Sequence, residues 1–106
     1  MVHERSSLLS LEDLQPLLAE FEGGDFLFES RGGPSKDITV ELKLDIQKRV
    51  LIVVCAKQDV ILSPIDWAVL TNLRQLLAVG SEGKTYYLMR PGYDPSDYSK
   101  VIREML

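Results

Sequence analysis

The chain is poor in the side chains that most site chemistry needs. Its 106 residues contain one cysteine and one histidine. A lone thiol excludes an intrachain disulfide, and one cysteine with one histidine cannot make up a structural zinc set. Cys55 lies in the apolar run VLIVVCA (50–56), the setting of a small buried core residue. A chain with so little cysteine suits a reducing compartment. His3 falls in the terminal stretch MVHERSS, so a histidine-based triad or proton shuttle has no place on the folded domain. Long apolar runs are missing too: none reaches the roughly 18 residues of a membrane span. MVHERSS also lacks the layout of a signal peptide. The glycine-bearing stretches GGPS (32–35) and GSEGK (80–84) read as turns, and neither has the spacing of a P-loop, a dinucleotide fingerprint or a calcium loop. The expectation is a protein with no catalytic set, no metal and no cofactor, placed in the cytoplasm, or in the nucleus if the source is eukaryotic.

What is present suits one ordinary domain. Apolar residues make up 45% and charged residues 26%, enough for a true core without staples. We read residues 1–7 as a flexible tail and 8–106 as a single domain. The net charge of −4 is unevenly spread. Residues 1–30 carry seven acids against Arg5, or −6; residues 31–90 carry nine basic against six acidic groups, or +3; the last sixteen residues give −1.

SLEDLQPLLAEFEGG (10–24) has Leu11, Leu14, Leu18 and Phe21 at helical spacing behind Ser10 as N-cap. Pro16 inside it implies a kink, or two short turns meeting at Gln15. DFLFESR (25–31) reads as a strand with Phe26 and Phe28 in the core, and GGPS as the following turn. Ile38, Val40, Leu42, Leu44 and Ile46 then alternate with polar residues, which predicts a strand with those five facing inward. VLIVVCA is apolar throughout and predicts a central strand covered on both faces. With VIL (60–62) these runs form an antiparallel meander.

Two junctions share one layout. LSPIDW (62–67) and YDPSDY (93–98) each place an apolar or aromatic residue, a cap, a proline, any residue, an aspartate and an aromatic in that order. This is the signature of a capped helix start with a hydrophobic staple. It predicts a helix from Pro64 to the stop at Gly80, with Trp67 clamped on Leu62, and a closing helix after Asp94. KTYYLMR (84–90) reads as a strand, with Tyr86 and Tyr87 on opposite faces. The expected fold is therefore α+β: an antiparallel sheet of four to five strands packed by two to three helices.

The segment RVLIVVCAKQDVILSPIDWAVLTNLRQLL (49–77) resembles the positive cofactor four family of transcriptional coactivators, through Ile61, Leu62, Ser63, Trp67 and Leu70 in ILSPIDWAVL. The resemblance implies a curved antiparallel sheet followed by a helix, dimerisation, and binding of single-stranded DNA. That family holds DNA on a basic, aromatic sheet. The matching strands here lack that layer, which leaves Lys43, Lys48, Arg49 and Lys57 as the phosphate contacts.

The leading expectation is a non-catalytic protein-interaction module: an acidic inhibitor or regulatory subunit, working as a homodimer or on a partner protein. The residues expected to meet the partner are Tyr86, Arg90, Tyr93 and Tyr98, an aromatic and basic set near the C-terminal end. The alternative expectation is a single-stranded nucleic-acid-binding transcription regulator.

Overall fold

In the computed structural model the described residues are 7–71 and 74–93. They form one antiparallel sheet rather than the expected α+β arrangement. The strands are β1 (Ser7–Leu8), β2 (Asp25–Ser30), β3 (Gly33–Asp45), β4 (Val50–Cys55), β5 (Val60–Leu62), β6 (Trp67–Thr71), β7 (Leu76–Ser81) and β8 (Lys84–Met89). Their order across the sheet is β1-β6-β7-β8-β2-β3-β4-β5, and the sheet curls into a half-barrel. The predicted meander is there, as β2 to β5. A second meander, β6 to β8, joins it where β8 pairs with β2. No described helix is long and apolar enough to cross a membrane.

The main correction concerns residues 64–80. The predicted helix is the β6–β7 hairpin, and each supposed helix-start residue has another task. The Ser63–Pro64 peptide is cis, and the Pro64 carbonyl accepts the Ser81 hydroxyl at 2.7 Å. Asp66 accepts the N–H of Glu82 at 2.9 Å and so caps the β7–β8 turn. Trp67 opens a strand in which Val69 supplies a β-branched side chain. LLAVGS is buried along its whole length, because β7 is covered on both faces. A strand buried on both faces loses its period of two and becomes indistinguishable from an apolar helix. The helix expected after Asp94 lies outside the described residues.

The first element behaves as its sequence implies. Ser10 caps α1 (Leu11–Leu14), its hydroxyl accepting the Asp13 N–H at 3.1 Å. At Gln15 the chain tightens into a 3-10 helix, Gln15–Phe21, with Pro16 in its first turn, where a missing N–H does no harm. Leu11, Leu14, Leu18 and Phe21 seal the inner face of the sheet against Phe26, Leu51, Val53, Leu62, Leu77 and Leu88.

A second cluster lies on the outer face of β6, β7, β8 and β2. It holds Leu27, Leu76, Ala78, Tyr87 and Met89, with Trp67 and Tyr93 packed against it. Tyr86 and Tyr87 do point to opposite faces, Tyr86 to the inner core and Tyr87 to this outer cluster.

Candidate functional site

The outer face of β3, β4 and β5 differs from that buried half. Its apolar side chains are open. Their exposure follows from a β-bulge, because the β3–β4 register slips between Thr39 and Glu41. One extra residue, Val40, reverses the phase of the strand. Leu42, Leu44 and Ile46 face inward as the alternation predicts. Before the bulge, Asp37 and Thr39 are buried instead, which leaves Ile38 at 43% and Val40 at 56% exposure. This corrects the expectation that all five alternating residues share the core face.

The bulge is held by neighbouring acids. Asp37 is buried, yet its carboxylate accepts the N–H of Ile38 at 2.8 Å and that of Lys57 at 3.1 and 3.2 Å. Glu22, just after the 3-10 helix, accepts the Leu42 N–H at 3.0 Å. The Gly23 N–H and Gly24 carbonyl pair with Thr39 at 2.8 and 2.9 Å. The backbone groups that the bulge frees are thereby matched, as buried groups must be.

On the next strands the alternation places Ile52 and Val54 outward, half-buried, while Leu51 and Val53 are buried within. Ile61 of β5 stands directly opposite Ile52 and is 63% exposed. Glu41 and Lys43 of β3 stand opposite Val54 and Ile52. The result is a patch of Ile38, Val40, Ile52, Val54 and Ile61, bordered on β3 by Glu41, Lys43 and Asp45 in alternating sign. Sequence reading missed it because Ile38 and Val40 look like a continuation of the core pattern.

The expected partner set does not converge. Tyr86 packs inward, its ring 6.1 Å from Phe26 and nearly parallel to it at 3°. Arg90 is engaged on three sides: an ion pair with Glu20, a bond from Nε to the Arg74 carbonyl at 2.7 Å, and its guanidinium 5.6 Å over the Phe21 ring. It pins the 3-10 helix to the end of β8. Tyr93 belongs to the outer cluster, and Tyr98 lies outside the described residues.

The basic set is scattered as well. Lys43 lies on the outer face of β3. Lys48 sits in the β3–β4 turn, its N–H bonded to Asp45. Arg49 fastens that turn to the β5–β6 connection, with Nε to the Ile65 carbonyl at 2.8 Å and the Ile65 N–H returning to the Arg49 carbonyl at 2.8 Å. Lys57 follows the far end of β4, about 26 Å from Arg49 at the usual rise per strand residue. Two of the N-terminal acids, Glu20 and Glu22, are committed inside the fold.

Cys55 is buried, and burial, with the charges of Asp37 and Asp59 adding to it, pushes its thiol up to about 11. It is therefore protonated and unreactive at neutral pH. Among the described residues no cluster of histidine, cysteine or carboxylate could hold a metal ion. No family model matches this chain, and no curated protein or solved structure matches it either.

Proposed function

We propose that this protein is a non-catalytic protein-interaction module that docks through the outer face of β3, β4 and β5 onto a second copy of itself. The observation that carries the reading is the open patch of Ile38, Val40, Ile52, Val54 and Ile61 on an otherwise well-buried sheet. Contiguous apolar surface on a small domain marks a place where a partner sits. Sheet faces pack on one another about 10 Å apart, with their side chains interdigitating.

Charge favours a like partner. The bordering residues Glu41, Lys43, Asp45 and Lys48 balance in sign. A strongly acidic or basic partner therefore gains no steering from this face, whereas a copy of it meets matched charges. The edges of the sheet are poor alternatives. β1 has two residues and β5 three, and Pro64 follows β5 closely. Short edges next to proline are the usual guard against edge-to-edge pairing. Nucleic acid is less well supported, because a strand-tracking site needs cations in a continuous groove and the four basic residues do not share one.

The test is a photo-crosslinking side chain placed at position 61. The reading expects a covalent dimer whose crosslinks map to residues 38–54 of the other copy. Crosslinks to solvent alone, or to sites remote from that face, would overturn it.

A further inference from the structure

The ladder between β2 and β8 ends early. Its pairs are Phe26 with Leu88 and Leu27 with Tyr87. Yet β2 runs on to Ser30, and β8 already begins at Lys84. Over these extra residues β2 is bonded only to β3, and β8 only to β7. The strands splay, and their facing backbone edges are left without a ladder.

A cavity of about 180 Å³ opens there, lined among others by Leu27, Glu29, Pro34, Lys84 and Tyr87. Two features give it polarity. Tyr87 is only 4% exposed, and its hydroxyl is buried with no hydrogen-bond partner. A buried hydroxyl without a partner is uncommon and costly. Lys84 is exposed on one lip and Glu29 on the other, and neither takes part in an ion pair among the described residues.

We propose that this cleft is a binding site for the C-terminal end of a polypeptide. The last residues of the guest extend a strand edge on one lip, as in β-augmentation. Its final side chain fills the cavity against Leu27, Pro34 and the Tyr87 ring. Its terminal carboxylate takes the Lys84 ammonium and the Tyr87 hydroxyl, both donors. A space of about 180 Å³ holds one apolar side chain and no through-going strand, which favours a chain end over an internal segment. Glu29 repels the carboxylate from the β2 lip and so fixes its direction.

The probe is acetyl-Ala-Ala-Leu with a free carboxylate, compared with the same peptide as its amide, by NMR amide-shift mapping at millimolar concentration. Shifts are expected at residues 27–34 and 83–87 with the acid, and an affinity about tenfold lower with the amide. Lys84→Glu, on the surface, should abolish binding of the acid. Tyr87→Phe, which keeps the buried ring, should weaken it by about tenfold. Equal binding of acid and amide, shifts centred elsewhere, or no shifts at all would each overturn the proposal. The cleft does not include Ile61, so this result stands apart from the test of self-association.

Discussion

Trp67 and Gly80 stand directly opposite one another on β6 and β7, and the indole lies where a Cβ on residue 80 would be. The stretch that resembles a capped helix thus ends in a cross-strand pair that only glycine permits. Gly80→Ala should cost about 1–3 kcal/mol through overpacking. Trp67→Ala removes the obstacle, so adding Gly80→Ala to it should cost much less. Urea melts of the two single variants and the double variant measure that coupling. Additive losses would mean that the pair does not form.

How far the sequence could be read depends on which faces of each element are covered. The β2–β5 meander announces itself by alternation and turn residues. Ser10 and Pro16 mark the start and the split of the first helical element, because caps and prolines act locally. The β6–β7 hairpin does not announce itself. Leu76, Leu77, Ala78 and Val79 are all buried, two on each face, so no period of two survives. Ser63, Pro64 and Asp66 serve a loop as well as they serve a helix cap. The apolar patch was hidden for a different reason. A bulge shifts the phase by one residue, and nothing local in DITVELKL states which residue is extra.

The bulge should depend on Glu22. Glu22→Ala leaves the Leu42 N–H without its acceptor and should destabilise the fold by about 1–3 kcal/mol. Glu22→Gln keeps an oxygen there and should retain most of that stability. Thermal or urea unfolding checks both, and equal losses would show that the charge, not the hydrogen bond, matters.

The thiol of Cys55 sets an alkaline limit. The unfolded chain titrates it near its ordinary value of 9.0, the folded chain only near 11. Between these values unfolding releases a proton, so stability falls as pH rises and is unaffected below that window. Tyr87, raised by burial above its ordinary 10.0, acts in the same direction at higher pH. Melts on either side of pH 9.0 should show the loss, and Cys55→Ala should make it shallower. The native thiol should also resist alkylating reagents at neutral pH until the protein unfolds.

Nucleic acid should bind weakly or not at all. A single-stranded oligonucleotide at low salt is the direct check, and a tight complex that dissolves steeply with added salt would restore that reading.

Self-association through the outer face is most directly tested by sedimentation equilibrium of the wild-type protein beside Ile61→Lys. Ile61 is largely exposed, so the substitution should leave unfolding within about 0.5 kcal/mol of wild type. The wild type is expected to show a concentration-dependent monomer–dimer equilibrium that Ile61→Lys shifts to monomer. A wild type that stays monomeric at every concentration, or a dimer that Ile61→Lys leaves intact, would contradict the account.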